Sequence, residues 1–421
     1  MTSGIIQLVS NAESTPFLTG NPQITFFKSL FKSYSNFYIT KIEQQINGNP
    51  NFGNTIDCLL SKSGDLLKNI YLDITLPDLN KPTMASWYGY TNNIGCNIID
   101  NISIKINDLV IDKLYGESID IYNNIYGNDI SDLVLEYESE FSIRNIGSTI
   151  SLDKRHCYIK LPFWFSKNTG SALPLIALNN SNINIEIEFR KLNDVVKTDN
   201  YNNLGDITVK SDSNFDCKIF TECIYLDEKE KQFFSTQAHE YLIEQLQYNG
   251  DDIITRFEKK KDIFLNFRNP VKEIFWIISV DNTNMDTKLE NDCNNLTKYT
   301  SYYSDYKDTF DTLTIKLNSM TLLEDEKAHY YRILQSNLYH NINRKKYIYS
   351  YSFSLNPNQF QPSGAINFSD LNTALFSFKF KNNDTNTLIE SGCSTNGVIK
   401  IFAFNYNILK IVSGQASVGF I

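Results

Sequence analysis

The chain's four histidines are the side chains best suited to metal binding or proton transfer, and their spacing argues against both. No two are separated by two or four positions: His156, His239, His329 and His340. The pair His239-Glu240 begins like the zinc-protease motif H-E-x-x-H, but Ile243 stands where its second histidine belongs. A catalytic metal on a β scaffold needs clustered imidazoles and carboxylates. We therefore interpret all four as structural or surface residues and predict no metal site.

Other reactive side chains are equally scattered. Glu136, Glu138 and Glu140 could act as paired glycosidase acids, but their alternation is also that of a solvated strand face, which we favour. The seven cysteines are scattered and include no C-x-x-C spacing: Cys58, Cys96, Cys157, Cys217, Cys223, Cys293 and Cys393. This pattern favours a reducing compartment. Nucleotide-binding and nucleophile-elbow motifs are absent. We predict no catalytic, cofactor-binding or metal-binding residues, and no enzyme activity.

Charge and hydropathy limit the partners. The chain has 39 basic and 48 acidic residues, for a net charge of -9. Neutralisation of phosphates by Lys and Arg drives non-specific nucleic-acid binding, so no nucleic-acid partner is expected. The densest basic runs, 258–261 (EKKK) and 344–346 (RKK), are typical of solvated strand ends. We find neither a signal peptide nor an apolar run of roughly 18 residues, and expect the chain to fold in the cytosol.

Carbohydrate is the main small-molecule alternative. Trp87, Tyr88 and Tyr90 lie close together in a predicted loop over residues 77–97, and such rings could form a stacking platform for a glycan. Glycosylation of the chain itself is left open, because its sequons lie in an Asn-rich sequence without a secretory signal: Asn101, Asn179, Asn295, Asn367 and Asn383.

The elements that would position these residues follow a doubled pattern. Residues 1–228 and 229–421 each form a ladder of β-prone segments interrupted once by a helix. Each half ends in a long apolar strand, at 217–226 and 398–409. A chain of 421 residues with 42% hydrophobic content can fill two cores. The pattern predicts an all-β protein made of two tandem eight-stranded antiparallel jelly rolls with short helices in the connections.

The predicted domains are an N-terminal arm at 1–24, a first jelly roll at 25–228 and a second at 229–421. Hairpins are predicted around 62–65 (KSGD) and Asn107-Asp108. Predicted helices cover 25–34, 117–126, 227–235 and 325–338. In the last of these, the spacing places Ala328, Tyr331, Leu334 and Leu338 on the inward face. The polar loops at 77–97 and 281–308 are predicted to lie on the outer side.

Seven segments, in chain order, resemble the major capsid proteins of large nucleo-cytoplasmic DNA viruses. They cover nearly the whole chain: 20–28 (GNPQITFFK) with 34–37 (YSNF), 63–67 (SGDLL), 161–165 (LPFWF), 172–178 (ALPLIAL), 239–245 (HEYLIEQ), 361–364 (QPSG) with 367–369 (NFS), and 405–411 (NYNILKI).

The resemblance implies a double jelly roll that forms homotrimers. Each trimer would be a pseudo-hexagonal capsomer of six barrels, and the capsomers would tile an icosahedral shell. Implied partners are the chain itself, neighbouring capsomers, minor capsid proteins and, in some members, an inner viral membrane. The arm at 1–19 is our predicted contact with such neighbours.

Three departures from the family pattern keep alternatives open. Tyr38 stands where the family often has Ala, and Ser33 and Ser35 replace a basic residue and Thr. They leave a divergent minor capsid paralogue as one alternative. A glycan-binding barrel and a metal-dependent cupin-like enzyme or glycosidase are the others.

Overall fold

The structure is a computed structural model. It describes residues 20–80, 88–91, 93–126, 155–198, 205–255, 258–280, 299, 308–340, 346–380 and 397–420. By contacts, the chain divides into Met1–Phe37 and Tyr38–Ile421. The predicted boundaries at 24/25 and 228/229 stay a prediction.

Strands dominate the described residues. Their bounds are β1 Phe37–Gln44, β2 Thr55–Leu59, β3 Leu66–Leu76, β4 Tyr88–Tyr90, β5 Ile99–Ile106, β6 Leu109–Tyr115, β7 Arg155–Lys160, β8 Leu173–Pro174, β9 Ile183–Phe189, β10 Val196–Thr198, β11 Asp216–Leu226, β12 His239–Ile254, β13 Lys260–Phe264, β14 Pro270–Val280, β15 Thr312–Leu317, β16 Met320–Lys327, β17 Tyr349–Ser352, β18 Ile366–Asn367, β19 Ala374–Lys379, β20 Gly397–Val412 and β21 Gln415–Val418.

Helices are short and lie in the connections. The α-helices are α1 Ile94–Asn97, α2 Gly116–Tyr126, α3 Trp164–Lys167, α4 Leu192–Val195, α5 Glu228–Thr236 and α6 Gln335–Tyr339. A π-helical turn, Tyr330–Leu334, leads directly into α6. Short 3-10 turns occupy Thr169–Ser171, Leu175–Ala177 and Phe368–Asp370.

Strands β1–β11 and strands β12–β21 form separate sets of sheets, which we call the first and second rolls. The first roll has the sheets β1-β11-β3-β7 and β2-β9-β5-β6. The second roll has β12-β20-β14-β17 and β13-β19-β15-β16, which is the same order with each strand replaced by its counterpart. The predicted all-β class and the doubling are therefore present. Each closing strand, β11 or β20, lies between two neighbours, as its long apolar sequence requires.

Apolar side chains from both rolls form one buried cluster. In the first roll, Ile70, Leu72 and Ile74 alternate along β3 and are fully buried. In the second, Trp276 packs edge-on against Phe376 and Tyr331 inside the roll. Alternate residues of a strand face opposite sides of its sheet, so one face of each strand fills the space between paired sheets.

The two predicted hairpins have opposite outcomes. β5 and β6 pair around Asn107 and Asp108, whose φ angles of 49° and 66° are those of a left-handed two-residue turn. The hairpin around 62–65 is wrong, because β2 pairs with β9 whereas β3 pairs with β11 and β7. The chain crosses between sheets at this point, and turn residues alone do not distinguish a crossing from a hairpin.

The predicted helix at 25–34 is also wrong. The segment contains one turn near Phe26 and is otherwise irregular. Phe26, Phe27 and Phe31 are 89%, 100% and 92% exposed. An isolated ten-residue helix needs a surface for its apolar face to pack on, and the described residues of this unit leave these rings uncovered.

The predicted helix at 325–338 begins later than expected, because β16 continues to Lys327. Ala328 and Tyr331 are buried as predicted, but Leu334 and Leu338 are 47% and 64% exposed. The π turn adds a residue to the helical repeat and rotates the later positions off the inward face. The linker helix α5 begins where predicted, since the Asp227 carboxylate accepts the Glu230 N–H at 2.9 Å.

Several predictions fall outside the described residues. These are most of the arm at 1–24, residues 81–87 and 92 of the loop at 77–97, and most of the loop at 281–308. They also include Trp87, Glu136, Glu138, Glu140, Cys293 and Cys393, and the sequons at Asn295 and Asn383. Among the residues that are described, no helix is long and apolar enough to span a membrane.

Candidate functional site

The histidines lie apart in the fold. His156 is exposed on β7, His239 is buried with a ring nitrogen 2.8 Å from the carbonyl oxygen of Phe234, and His329 is exposed. His340 is buried, with its Nε2 3.1 Å from a carboxylate oxygen of Glu273. Across the described ranges, no three His, Cys, Asp or Glu side chains are grouped so as to hold a metal ion. The absence of cofactor and metal residues stays a prediction.

The proposed glycan platform does not form as expected. Tyr90 is 3% exposed and donates its hydroxyl to the carbonyl of Pro77 at 2.6 Å, so its ring is part of the core. Tyr88 is half-buried. One ring of the three is therefore unavailable for stacking on a sugar.

The described sequons differ in access. Asn101 is 7% exposed, and its amide donates to Glu188 at 2.8 Å, so a glycan cannot be attached without disrupting β5. Asn367 caps a short helical turn by accepting the Ser369 N–H. Asn179 is exposed.

The densest group of buried charged side chains lies instead between the two rolls. Helix α2 of the first roll carries Glu117 and Asp120, which share one face because they are three residues apart. Both are almost fully buried, at 3% exposure each. Three of their partners, Lys400, Lys346 and Tyr299, come from the second roll, so the helix forms part of the contact between the rolls.

Glu117 joins both rolls through a single carboxylate oxygen. Arg190 of the first roll and Lys400 of the second each lie 2.7 Å from Glu117 Oε1. Burial by itself raises the pKa of this carboxyl, but the two cations outweigh it and lower the pKa to about 2. The group is therefore ionised under all ordinary conditions, and its charge is matched within the contact.

Asp120 is held by both rolls. Asn93 of the first roll donates to Oδ1 at 2.6 Å. From the second roll, Lys346 donates to Oδ1 at 2.7 Å and the Tyr299 hydroxyl donates to Oδ2 at 2.6 Å. Burial and the Asp120 carboxylate raise the pKa of Tyr299 well above its ordinary value, so the phenol keeps the proton it donates.

A second cluster surrounds Glu244 on β12. Lys167, at the end of α3, lies 2.9 Å from Oε2, and Lys272 on β14 lies 2.6 Å from Oε1. The Glu244 side chain is 15% exposed and that of Lys272 only 1%. Burial opposes ionisation of Glu244, but the two ammonium groups lower its pKa to about 2.

The two lysines share one counter-ion unequally. Burial lowers the pKa of Lys272 to about 8, and Glu244 only partly offsets this effect. Burial also lowers the pKa of Lys167, but there Glu244 outweighs it and the net shift is upward. The two lysines can therefore both stay protonated in this buried site only while Glu244 is ionised.

Aromatic rings close around these lysines. Tyr122 and Tyr126 of α2 stack at 4.6 Å between centroids, and both pack against Phe404 of β20. The ammonium of Lys167 lies 4.4 Å from the centre of the Phe404 ring, and that of Lys272 lies 5.2 Å from the Tyr126 ring. Cation–π contacts of this kind strengthen as water is excluded.

Asp112 on β6 is a buried carboxylate at the same contact. It accepts the Leu246 N–H of the second roll at 3.0 Å. Burial raises its pKa to about 6, against the lowering effects of that N–H and of Lys167. In an unfolded chain the carboxyl ionises near 3.8. Ionisation of Asp112 in the folded state therefore costs free energy above about pH 6 and nothing below about pH 4.

Replacing this carboxyl by an amide, in Asp112→Asn, is expected to make the variant more stable relative to wild type as pH rises. The amide oxygen can still accept the Leu246 N–H, but it does not ionise. The difference in free energy of unfolding, D112N minus wild type, should increase by about 3 kcal/mol as pH is raised from about 4 to about 7. Urea titrations at the two pH values measure this. The exposed Asp108→Asn variant is the control, and a pH-independent difference for D112N would contradict the prediction.

Gly116 fixes the entry of helix α2. A Cβ atom there would overlap the carbonyl oxygens of Cys96 and Ile99. We expect Gly116→Ala to lower the free energy of unfolding by about 3 kcal/mol, because backbone atoms cannot yield as a flexible side chain can. Gly205, whose added Cβ would meet nothing within 4 Å, is the matched control. Equal thermal midpoints for G116A and G205A would refute this expectation.

Hydrogen bonds also join the rolls away from α2, between the residues before β9 and the turn after β20. The Ser181 hydroxyl donates to the Gly414 carbonyl at 2.9 Å, and the Asn180 amide donates to the Ser413 carbonyl at 3.3 Å. The rolls thus meet along two lines of contact, one ionic and aromatic and the other polar.

The sequence predicted the helix at 117–126 but gave no sign that Glu117, Asp120 or Glu244 is a buried contact residue. One available signal was the tripeptide Lys-Ile-Phe, which occurs at 218–220 in one closing strand and at 400–402 in the other. Aligning the halves on this repeat would have drawn attention to Lys400 as a residue with an internal counterpart.

Comparison with known proteins agrees with this architecture. A family model described as the major capsid protein N-terminus matches residues 25–227, and one described as the large eukaryotic DNA virus major capsid protein matches 230–417. The major capsid protein of Pyramimonas orientalis virus is 29% identical, and that of Paramecium bursaria Chlorella virus 1 is 28% identical, with each alignment covering all of both chains.

Solved structures give the same result for the fold. A quasi-atomic model of the PBCV-1 virus capsid matches 94% of this chain and all of its own, with a TM-score of 0.75 and 25% identity. The Faustovirus major capsid protein matches 92% of this chain and 93% of its own, with a TM-score of 0.67 and 12% identity. The predicted double jelly roll is thereby confirmed.

The predicted absence of enzyme activity is also confirmed, because the relatives are structural capsid proteins. Two matched family models, full-length relatives and a shared fold lead to one conclusion: the chain belongs to the major capsid protein family of large eukaryotic DNA viruses and is a component of the virion shell.

Proposed function

We propose that this chain forms homotrimers, and that each trimer is a pseudo-hexagonal capsomer of an icosahedral shell. The doubling of the roll carries the proposal: three chains supply six similar rolls, so a threefold assembly can occupy a sixfold position. We assign the rolls to residues 25–228 and 229–421, with 1–24 as an arm. The Glu117 and Glu244 clusters support the proposal because they hold the two rolls of each chain together.

Neighbouring capsomers are the next partners in this proposal, with minor capsid proteins and an inner viral membrane as further contacts of the arm. Assembly would take place in the host cytoplasm. The PBCV-1 model is that of a virus capsid, and the likeness of this chain to it supports a role in a shell built from many copies.

The oligomeric state of the purified full-length chain tests this proposal. Light scattering after size exclusion should give a mass near three times 48.5 kDa. A stable monomer at micromolar concentration, with an intact fold by circular dichroism, would overturn the trimer. It would redirect attention to a minor paralogue that needs a different partner.

A further inference from the structure

Each roll is a sandwich of two sheets, and one sheet of each roll carries exposed charged side chains. In the first roll this sheet is β2-β9-β5-β6, and in the second roll it is β13-β19-β15-β16. The other sheet of the second roll packs on the first roll through Lys400 and Phe404. The outer face of the β13 sheet is therefore directed away from the contact between the rolls, and the β2 sheet is its counterpart in the first roll.

Two equivalent hydrogen bonds align these two sheets. The Leu60 N–H donates to the Ile183 carbonyl at 2.9 Å, and the Leu265 N–H donates to the Ala374 carbonyl at 2.9 Å. In each case the bond joins the residue after the sheet's edge strand to the first residue of the neighbouring strand. The bonds therefore fix which positions of β2 and β9 correspond to which positions of β13 and β19.

The matched positions differ in charge. Glu188 of β9 lies opposite Thr55 of β2, and Lys379 of β19 lies opposite Lys260 of β13. Glu188 and Lys379 are each five residues beyond the aligned hydrogen bond, so they are counterparts, and so are Thr55 and Lys260. An acidic and a neutral side chain in the first roll are thus replaced by two basic side chains in the second.

The outward residues of three strands in the first roll make an acidic surface. The residues that alternate with them, such as Ile56 and Ile187, are fully buried. Three carboxylates outnumber one lysine, which gives a net charge of -2. We call this surface the first face: Thr55, Asp57, Lys105, Asn184, Glu186 and Glu188.

The matched surface of the second roll is basic. The side chains of Lys260 and Lys379 are 55% and 49% exposed. Lys379 pairs with Asp325 of the adjoining strand β16, but Lys327 on that strand balances the added carboxylate. Three lysines outnumber one aspartate, which gives a net charge of +2. We call this surface the second face: Lys260, Asp262, Lys316, Leu375, Ser377 and Lys379.

An exposed apolar residue lies at the same corner of each face. Leu59 is 52% exposed and Phe264 is 62% exposed. Each directly precedes the donor of the aligned hydrogen bond, so the two are counterparts. Burial of these side chains against another surface would add a hydrophobic component to an ionic contact.

Threefold symmetry determines which faces meet when trimers lie side by side. In the proposed trimer, the two kinds of roll alternate around a ring of six. Opposite sides of such a ring always differ in kind, because they are three steps apart. When neighbouring capsomers share one orientation, each side faces the opposite side of its neighbour, so a first roll meets a second roll. A neighbour turned by one step of the ring would bring like rolls together.

We propose that the first face of one capsomer docks on the second face of a neighbouring capsomer, and that their opposite charges select neighbours of the same orientation. The occupant is a second copy, because every chain carries both faces and their net charges are equal and opposite. Like faces would repel each other, which disfavours the turned arrangement. The inference rests on the proposed trimer and names the surfaces through which trimers meet.

Charge reversal of each face tests the pairing in the full-length protein. Asp57→Lys/Glu188→Lys makes the first face basic, and Lys260→Glu/Lys379→Glu makes the second face acidic. Static light scattering of the trimer gives the second virial coefficient, which becomes more positive as attraction between trimers is lost. Either double variant should have a more positive coefficient than wild type at an ionic strength of about 0.1 M, where the Debye length is about 10 Å. The differences should disappear at about 1 M, where it is about 3 Å.

Asp206→Lys/Asp212→Lys is the matched control for the first face. Both aspartates are exposed and lie outside the two faces. The control and Asp57→Lys/Glu188→Lys each replace two carboxylates by two ammonium groups, so each reduces the negative net charge of the chain by the same amount. The control should therefore repel no more than wild type, whereas the face variant should repel more.

The quadruple variant, which joins the two double reversals, provides the rescue. Its faces are again opposite in charge, with their signs exchanged, and its net charge equals that of wild type. Its second virial coefficient should return to the wild-type value. The single substitutions Glu188→Lys and Lys379→Glu, at exposed positions, should change the coefficient in the same direction as the double variants but by less.

The outcomes separate the two proposals. Equal thermal midpoints and a mass of three chains would show that the fold and the trimer survive in each variant. A monomeric wild type would remove the trimer on which the inference rests. A trimeric wild type would overturn the pairing of faces, and leave the trimer intact, if the first-face variant repels no more than its control or the quadruple variant shows no recovery.

Discussion

Replacement of Glu244 by Gln is expected to lower the free energy of unfolding by about 3–5 kcal/mol, the range found when one member of a buried ion pair is removed. Two ammonium groups, those of Lys167 and Lys272, lie within 2.9 Å of this carboxylate. Without its charge, they would repel each other in a site that is nearly closed to water. Urea unfolding of the full-length protein at neutral pH measures the loss.

Glu240 provides a matched control on the same strand. Its carboxylate lies 3.1 Å from Lys410, but the two side chains are 64% and 45% exposed. Exposed pairs contribute at most about 1 kcal/mol, so Glu240→Gln should have little effect.

A second substitution tests the cause. Lys272→Met removes one of the two cations, so adding it to Glu244→Gln should recover part of the stability that E244Q loses. A double variant no more stable than E244Q itself would show that repulsion between the lysines is not the source of the loss.

Acid is expected to destabilise the contact between the rolls over a defined range. Glu117 and Glu244 both have a pKa of about 2 in the folded protein, against 4.5 for an unperturbed Glu. A carboxyl whose pKa is lower in the folded than in the unfolded protein stabilises the fold at pH values above its unfolded-state pKa. This stabilisation is lost as pH falls from the unfolded-state pKa to the folded-state pKa. Each carboxylate should therefore contribute about 3 kcal/mol at neutral pH that is lost between about pH 5 and pH 2.

Asp112 acts in the opposite sense, because its folded-state pKa is raised to about 6. Its protonation favours the folded state as pH falls from about 6 to 4, so the loss due to the two glutamates should be clearest below about pH 4. The free energy of unfolding, measured at several pH values in this range, should be less pH-dependent in Glu117→Gln/Glu244→Gln than in wild type. Equal slopes for the two proteins would contradict the assignment.

Local signals in the sequence predicted much of the secondary structure. The long apolar runs at 217–226 and 398–409 predicted β11 and β20 to within three residues, because a continuous apolar run of this kind is typical of a strand buried inside a sheet. Asn107-Asp108 tolerates left-handed backbone, which fixed the β5–β6 turn.

Pairing between strands could not be read in the same way. The turn at 62–65 suits a hairpin, yet β2 and β3 belong to different sheets. Partner choice depends on strands far apart in the chain, and a local turn does not encode it. Similarly, Leu334 and Leu338 have the spacing of an inward helix face, but the π turn rotates them away from the core and leaves them exposed.

The sequence by itself determined that this is a doubled, strand-rich chain resembling capsid proteins, because periodicity, turn residues and family motifs are local properties. Only the tertiary structure decided how the two rolls meet. Glu117 and Lys400 are 283 residues apart, and neither is distinguished from a surface charge by its neighbours in the chain. Their pairing, and the lowered pKa of Glu117, depend on burial and on distances that arise only when the two rolls pack together.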